Sequence, residues 1–312
     1  MGKMLQAKNL QKKFKTKEVV KKINLELGEG ESIGLLGPNG AGKSTTISML
    51  SSLMKPTSGT VLWNGTSIEE NPQMLRKNLG VVPQEIALYP ELTAQENLEF
   101  FGRIYGLKGK NLETRVEDVL EKIGLSDRRK DRVKTFSGGM KRRLNIGAAL
   151  LHKPSFLIMD EPTVGIDPQS RAYILEAVKQ LVEEGMTLLY TSHYIEEVEL
   201  LCEKIYIMDQ GEIIASGTKE ELKSLVSDQQ TIELKGHSLS VAFEESLQKH
   251  FPTANIHREE EKLLVSLSKF MEPLSSIFAV AAENEVTITS AVVKIPSLED
   301  VFLHLTGRAL RD

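Results

Sequence analysis

The chain has 312 residues, of which 40% are hydrophobic and 26% are charged, with 23 glycines and 11 prolines. This composition is that of an ordinary globular protein, and it excludes a collagen, a mucin-like stalk and a wholly disordered chain. The length predicts about two domains. The single cysteine, Cys202, excludes an intrachain disulfide and a cysteine-rich zinc site, and it favours a reducing compartment.

The net charge of −4 is unevenly distributed, because residues 225–312 carry 8 Lys and Arg against 13 Asp and Glu. An acidic tail and a nearly neutral body argue against a nucleic-acid partner. The short basic runs 128–130 and 141–143 are predicted to be solvated helix faces. The longest apolar run, 277–282, is far shorter than the ~20 residues of a membrane helix, and the amino end lacks a hydrophobic signal core. We therefore expect that the chain neither spans a membrane nor is secreted by itself.

Short β-rich runs alternate with helical patterns through the first 220 residues. Strands are predicted over 5–14, 19–27, 32–36, 60–63, 80–82, 156–159, 187–191, 204–208 and 213–216, with a hairpin turn at 64–65. Helices are predicted over 45–53, 93–105, 115–123, 139–152, 170–184 and 195–202, the second opened by a capping box at Thr93 and Glu96. This order predicts a mainly parallel α/β core interrupted by a helical insertion.

A polar run at 227–230 predicts a domain boundary. Beyond it we predict strands over 231–235, 263–267 and 286–295, and helices over 241–250, 271–283 and 297–306. We therefore expect a first domain over 1–224, with a helical subdomain at about 93–152, and a small α+β domain over 231–312.

A glycine-rich loop lies between a predicted strand and a predicted helix. It matches the phosphate-binding pattern with Gly37, Pro38, Asn39, Gly40, Ala41, Gly42, Lys43, Ser44 and Thr45. Glycines let backbone N–H groups close around phosphate oxygens, and the helix dipole adds to the attraction. Lys43 is expected to reach the β- and γ-phosphates and Ser44 to ligate Mg²⁺.

Two acidic residues end the apolar strand 156–159. Asp160 would lie at the carboxyl end of the sheet, where it can hold Mg²⁺ through water. Glu161 would then polarise the attacking water. A solvated strand end would explain the same two acids without the loop, but the two motifs together favour nucleotide hydrolysis.

The segment from Phe136 to Met140 reads Phe-Ser-Gly-Gly-Met, and it resembles the Leu-Ser-Gly-Gly-Gln signature of the nucleotide-binding subunits of ABC transporters. Ser137, Gly138 and Gly139 match the family, where this motif acts in trans on the nucleotide of the opposing subunit. The resemblance covers residues 1–220 and implies an α/β fold, the P-loop NTPase cassette. That fold has a parallel-sheet core, an antiparallel β part and a helical subdomain, here followed by the small α+β carboxyl-terminal module.

Other family elements follow from the same resemblance. Gln84 resembles the glutamine that senses Mg²⁺ and couples to the membrane subunit, and His193 resembles the switch histidine that contacts the γ-phosphate. Asp167 resembles the aspartate that orders the dimer interface. Phe14 is the candidate for stacking on adenine, although strand packing explains it equally well.

The resemblance implies ATP and Mg²⁺ as cofactors and a homodimer with two composite sites. A chain without its own membrane helices would need a separate membrane subunit, which implies a place on the cytoplasmic face of the cell membrane. Residues 85–100 correspond to the groove where the family receives that subunit. Their apolar and aromatic side chains fit docking, and they fit burial in the helical subdomain equally well.

Other nucleotide-binding classes lack support. No Asn-Lys-x-Asp guanine motif occurs, there is no room for the coiled coil of a chromosome-maintenance ATPase, and there is one cassette instead of the two of translation factors. A soluble ABC ATPase without a transport role remains the alternative.

The tail from Ile295 to Gly307 resembles the carboxyl-terminal module of exporters of the daunorubicin, bacitracin and sodium-efflux type, whose membrane partners are of the ABC-2 kind. That resemblance implies export instead of import, with an antibiotic or another amphipathic molecule as the substrate and not a nutrient. The overall resemblance suggests a linear polyene antibiotic such as linearmycin. Physically the segment reads as a helix with Ser297 as its N-cap and with acidic residues in its first turn. Both a packing role and a role in dimer contact or regulation fit its apolar stripe.

Overall fold

The computed structural model describes residues 3–225, 229–237, 239–259, 262–268, 273–294 and 297–306. Its strands are Lys3–Phe14 (β1), Lys17–Gly28 (β2), Ser32–Leu36 (β3), Ser58–Trp63 (β4), Thr66–Ser67 (β5), Leu79–Val82 (β6), Phe156–Asp160 (β7), Thr187–Ser192 (β8), Lys204–Asp209 (β9), Glu212–Thr218 (β10), Gln229–His237 (β11), Asn255–Glu259 (β12), Lys262–Ser268 (β13) and Thr287–Lys294 (β14).

The α-helices are Lys43–Leu50 (α1), Pro72–Asn78 (α2), Ala94–Ile104 (α3), Gly109–Lys122 (α4), Gly138–Leu150 (α5), Pro168–Glu183 (α6), Ile195–Leu201 (α7), Lys219–Ser224 (α8), Val241–His250 (α9), Leu274–Glu283 (α10) and Leu298–Thr306 (α11). None of the helices in these described ranges is long and apolar enough to cross a membrane. The chain divides into two compact units, one ending at Lys219 and the other beginning at Glu220.

The first unit is organised around a six-stranded sheet in the order β10-β9-β3-β8-β7-β6. All its neighbours pair in parallel except β9 and β10, which form a hairpin. Strands β3, β7 and β8 are buried at every residue, as expected for parallel strands covered on both faces. Because they run the same way, their carboxyl ends meet at one edge, which is where a ligand site is expected in such sheets.

A second, antiparallel sheet in the order β2-β1-β4-β5 completes the core of this unit. Buried residues alternate with more exposed ones over 23–28 of β2, which shows that one face of this sheet packs inward, whereas register shifts interrupt the pattern of β1. The indole of Trp63 on β4 stacks on the ring of Phe156 on β7, with ring centroids 5.8 Å apart. This aromatic contact ties the antiparallel sheet to the strand that carries Asp160.

Helices α3, α4 and α5 form a separate apolar cluster within the same unit. The capping box is present at the start of α3, with Thr93 Oγ1 accepting from the backbone N–H of Glu96 and the Glu96 carboxylate accepting from that of Thr93. Phe136 is buried in this cluster and Met140 packs against it. The two positions at which the signature departs from the family are therefore packing positions, while Ser137 and Gly138 are exposed.

The second unit has the order β12-β13-β11-β14, all antiparallel, with α9 following β11 and α10 following β13. This is the βαββαβ arrangement of ferredoxin-like domains. Apolar residues of β11, β13, α9 and α10 form its core. At the start of α11, Ser297 and Asp300 bond each other's backbone N–H groups, so the predicted N-cap is confirmed. The boundary residues 226–228, the start of the predicted helix at 271–272, and Ile295, Pro296 and Gly307 of the tail motif lie outside the described residues.

The predicted helices and strands are present, with some differences in their ends. Helix α1 begins at Lys43 and ends at Leu50, whereas 45–53 was predicted, and α4 begins at Gly109 instead of 115. Helix α2 and strand β12 were missed because each buries too little to produce an apolar period. Leu75 is the one buried residue of α2, and Ile256 is the one aliphatic residue of the edge strand β12.

We expect Phe156→Ala to lower the free energy of unfolding by about 3–5 kcal/mol, because it removes a fully buried ring from the join between the sheets. Trp63 is the sole tryptophan, so its fluorescence during urea unfolding reports this region directly. The exposed ring of Phe278 provides the control, since Phe278→Ala should change stability by less than about 0.5 kcal/mol. Equal losses in the two variants would contradict the packing role of Phe156.

Candidate active site

The phosphate-binding loop joins β3 to α1 at the carboxyl edge of the parallel sheet. Two glycines are required there. A Cβ on Gly37 would lie 2.2 Å from the carbonyl oxygen of Met208, and Gly42 has φ of 108°. The carbonyl of Ala41 accepts a hydrogen bond of 2.9 Å from the N–H of Gly211, in the turn of the β9–β10 hairpin. This backbone hydrogen bond therefore fixes the loop to the β9–β10 hairpin at the edge of the sheet.

A cavity of about 260 Å³ opens in front of this loop. It is lined by Val19, Asn39, Gly40, Gly42, Lys43, Ser44, Thr45, Gln84 and Glu161. The first residues of α1 line this cavity and the helix has no side-chain cap, so its amino-terminal N–H groups and its dipole favour an anion there. The cavity thus has the shape and the polarity of a phosphate site.

The charge at the centre of the cavity belongs to a buried ion pair. Lys43 Nζ lies 3.1 Å from Glu161 Oε1, and both side chains are almost completely buried. Lys43 also donates to the carbonyl oxygens of Gly37 (2.7 Å) and Pro38 (3.2 Å). These hydrogen bonds offset part of the desolvation of the ammonium group.

Glu161 has a strained backbone, with φ of 45°, a conformation in which a non-glycine residue costs about 1–3 kcal/mol. Its N–H donates to the hydroxyl of Thr191 on β8 at 2.9 Å, and that hydroxyl donates to Asp160 Oδ1 at 2.7 Å. Strand β8 therefore positions both acidic residues at the end of β7.

Gln84 and His193 meet at the other carboxylate oxygen of Glu161. Gln84 Nε2 donates to Glu161 Oε2 at 3.2 Å, and His193 Nδ1 lies 3.4 Å from the same oxygen. His193 Nδ1 is buried and makes no hydrogen bond within the described part of the chain. Four predicted site residues, from four different segments, are thus brought together within one cluster.

The signature residues lie elsewhere. Ser137 is the N-cap of α5, where its hydroxyl accepts from the N–H of Met140, and neither Ser137 nor Gly138 lines the cavity in front of the loop. Gly139 packs so closely against α6 that a Cβ would lie 2.1 Å from Ser170 Oγ. Asp167 is the N-cap of α6, and its hydrogen bond from the Ser170 N–H lowers the pKa of its carboxyl group. The structure therefore groups Asp167 with the signature, on a surface separate from the cavity.

Phe14 is exposed at the end of β1, and Lys12 Nζ lies 5.3 Å from the centroid of its ring. The described wall of the cavity contains Val19 of β2 and not Phe14. Val19 was not singled out from the sequence, because one valine in an alternating strand carries no signal beyond strand packing.

One prediction for the basic runs was wrong. The side chain of Arg142 is 3% exposed, and its guanidinium donates to the backbone carbonyls of Pro83 and Gln84. Asn145, one turn later on α5, accepts from the N–H of Ala87. A run of three basic residues looks solvated in the sequence, and only the fold shows that its middle member holds the segment around Gln84.

Known proteins align with this chain over nearly all of its length. A family model for ABC transporters matches residues 20–164. The chain is 51% identical over 99% of its length to the linearmycin resistance ATP-binding protein LnrL of Bacillus subtilis (strain 168), all of which is covered. It is 39% identical to the Nod factor export ATP-binding protein I of Cupriavidus metallidurans, with full coverage of both chains. It is 34% identical to the daunorubicin resistance ATP-binding protein DrrA3 of Streptomyces coeruleorubidus, covering 95% of this chain and 94% of that one.

Solved structures of ATP-binding subunits share the fold of the first unit. cbiO1 from Clostridium perfringens, part of the ABC transporter complex cbiONQ, is 27% identical, with a TM-score of 0.66 over 72% of this chain and 92% of that one. A dimeric, post-hydrolysis structure of the ATP-binding cassette MJ0796 bound to ADP and Pi is 28% identical, with a TM-score of 0.63 over 69% and 98%. The expected P-loop NTPase fold and the expected ATP-hydrolysing activity are confirmed by these likenesses. The chain belongs to the ATP-binding subunits of the ABC transporter family.

Proposed function

We propose that two copies of this chain bind ATP between them and use its hydrolysis to drive export through a separate membrane subunit. The proposal rests on one observation, which is that the expected site residues of one chain lie on two separate surfaces. The cavity in front of the phosphate loop contains Lys43, Gln84 and Glu161, whereas Ser137 and Gly138 are exposed on another surface of the same chain. A second copy that supplied its signature would complete the site, and the MJ0796 cassette, which resembles this chain, is a dimer with ADP and Pi bound.

Glu161 is the proposed general base. Its carboxylate would take a proton from water as the water oxygen bonds to the γ-phosphorus. The bond from that phosphorus to the β–γ bridging oxygen then breaks, and ADP leaves with the electron pair. Lys43, now paired with Glu161, would turn to the phosphates and release the carboxylate for this role. The buried Nδ1 of His193, which makes no hydrogen bond within the described part of the chain, is proposed to bind an oxygen of the γ-phosphate.

Oxygen donors suited to Mg²⁺ are present beside the same loop. Ser44 and Gln84 line the cavity, and Asp160 precedes Glu161 at the end of β7. A hydroxyl, an amide and a carboxylate are hard ligands of the kind that Mg²⁺ takes together with water and phosphate oxygens. We propose that these three residues hold the ion, which would neutralise charge on the phosphates. Ser137, Gly138, Gly139 and Asp167 are proposed to act on the partner's nucleotide.

The membrane subunit is proposed to dock beside the segment that follows Gln84. Tyr89 is 47% exposed and stacks edge-on against Phe100, which is also exposed, with centroids 4.8 Å apart. Ile104, one turn later on α3, is still more exposed. Leu88 and Phe101 instead pack against the helical cluster. Burial in the helical cluster therefore accounts for Leu88 and Phe101. The exposed Tyr89, Phe100 and Ile104 are the side chains that we propose for docking.

The relatives favour an ABC-2 type membrane partner and an exported antibiotic. Two of the three named above are resistance proteins, against linearmycin and daunorubicin, and the third is an exporter of Nod factor. Removal of an antibiotic from the cell is therefore the task that we propose for this chain. Docking on such a partner would place the chain on the cytoplasmic face of the cell membrane.

Lys43→Ala should weaken ATP binding about 10- to 100-fold, because it removes the one charged side chain of the loop, which is proposed to turn to the phosphates. Isothermal titration of the purified chain with ATP measures this change. Lys122→Ala is the matched control, since it removes a surface lysine paired with Glu184 and should leave affinity unchanged. Unchanged affinity in Lys43→Ala would contradict the role of the loop.

Glu161→Gln should retain ATP binding, lower turnover by about 10²–10⁴-fold, and accumulate as an ATP-bound dimer. The amide keeps the shape of the side chain but cannot take the proton. Phosphate release and light scattering after gel filtration measure the two effects. Glu184→Gln, the same change at an exposed site, should behave like the parent. Hydrolysis at the parental rate in Glu161→Gln would remove Glu161 from catalysis.

Tyr89→Ala should abolish capture of the membrane subunit without changing hydrolysis by the isolated chain. The measurement is a pull-down from detergent-solubilised membranes with tagged Glu161→Gln and ATP, with and without Tyr89→Ala. Tyr173→Ala, at a comparably exposed tyrosine on α6, should still capture a polytopic membrane protein. A clean dimer with no membrane partner would instead favour the soluble, non-transport ATPase.

A further inference from the structure

A third buried carboxylate lies near those of Asp160 and Glu161, and it is not used in the chemistry above. Glu197 on α7 has 0% exposure, which is rare for a glutamate and unfavourable unless its charge is compensated. A helix pattern with Glu196 and Glu199 beside it gives no sign of burial in the sequence.

Four donors satisfy this carboxylate. The Thr163 hydroxyl and Arg171 Nε each donate to Oε1 at 2.6 Å, and the hydroxyls of Tyr190 (2.9 Å) and Ser192 (2.8 Å) donate to Oε2. An ionised carboxylate accepts about four hydrogen bonds, so its capacity is filled. Burial, and then the adjacent Glu197 charge, raise the pKa of Tyr190 well above its usual range, which keeps that donor protonated.

These donors come from the segments that carry two proposed site residues. Thr163 lies in the segment between Glu161 and Asp167, and Arg171 lies on α6, four residues after Asp167. Ser192 immediately precedes His193. One carboxylate therefore joins the segment that precedes the exposed Asp167 to the segment that presents the switch histidine.

The histidine is also held from its other side. The Ser192 hydroxyl accepts from the N–H of Tyr194, which fixes the backbone on both sides of His193. The Arg171 guanidinium lies 4.2 Å from the centroid of the Tyr194 ring, and that ring lies 4.2 Å from the His193 ring. Arg171 is thus connected to His193 in two ways. The Tyr194 ring lies against both side chains, and hydrogen bonds to Glu197 join Arg171 to Ser192, the residue before His193.

We propose that Glu197 is a positioning residue for ATP hydrolysis, which holds His193 and the 163–167 segment in one mutual arrangement. The inference rests on the roles proposed above for His193 and Asp167. Because Asp167 lies on the surface that is proposed to meet the second copy, closure of the dimer would act on His193 through Glu197. Loss of this link would lower turnover while the phosphate loop still binds ATP.

The test compares steady-state hydrolysis by the full chain carrying Glu197→Gln, Thr163→Val or Ser192→Ala. Thr163→Val and Ser192→Ala each remove a single hydrogen-bond donor to Glu197. They are expected to fold even if Glu197→Gln does not. We expect kcat to fall about 10- to 100-fold in Ser192→Ala and Thr163→Val, with KM for ATP within about threefold of the parent. The double variant Ser192→Ala/His193→Ala should be no slower than His193→Ala alone, since residues that act through one another are not additive.

Tyr206→Phe is the matched control, because it removes a buried hydroxyl that bonds the backbone of Glu26, away from the site, and it should keep the parental kcat. Parental kcat in both Ser192→Ala and Thr163→Val would overturn the inference. It would also be overturned if the loss of kcat in Ser192→Ala/His193→Ala equalled the product of the two single losses, because the residues would then act independently. A parental rate in His193→Ala itself would instead refute the proposed role of the histidine, so the two failures are distinguishable.

Discussion

The rest of the site depends on one buried ion pair. The Lys43 ammonium and the Glu161 carboxylate lie 3.1 Å apart, and both side chains are almost completely buried. A buried ion pair is stable only when further hydrogen bonds satisfy both partners. Here the backbone of the loop accepts from Lys43, and Gln84 donates to Glu161. The pair places both groups within reach of the cavity, and it would offer incoming phosphates a cation whose present partner is the proposed general base.

The parallel sheet makes this arrangement possible. Lys43 follows β3, Glu161 follows β7 and His193 follows β8, so three separate segments end at the same edge. Full burial of these strands fixes their register. The Thr191 hydroxyl then positions Glu161 and Asp160, because it accepts from the Glu161 N–H and donates to the Asp160 carboxylate. The strained backbone of Glu161 is retained because its neighbours hold it from β8. Strain of this kind persists where the surrounding structure determines the conformation.

Much of this could be predicted because the relevant signals are local. A glycine-rich loop between a strand and a helix, or an apolar strand that ends in two acids, is visible in fewer than ten consecutive residues. Arg142 and Glu197 could not be found in that way. Each is a charged residue in a helical pattern that looks solvated, and each is buried by partners that come from distant parts of the chain. Helix α2 and strand β12 escaped prediction for the opposite reason, since they bury too few residues to show a period.

The division of the site within one chain has a consequence for how ATP can act. The cavity and the signature surface belong to the same folded unit, yet Ser137 and Gly138 at the amino end of α5 are absent from the lining that contains Lys43 and Glu161. A two-fold pairing of identical chains would satisfy both surfaces at once, because each chain would offer a cavity and receive a signature. ATP would then lie inside both contacts and stabilise only the closed state. Within each chain, Arg142 on the signature helix holds the segment of Gln84, and Glu197 joins the segment before Asp167 to that of His193. Closure at the proposed dimer surface is thereby connected, through buried charged side chains, to both groups that flank Glu161.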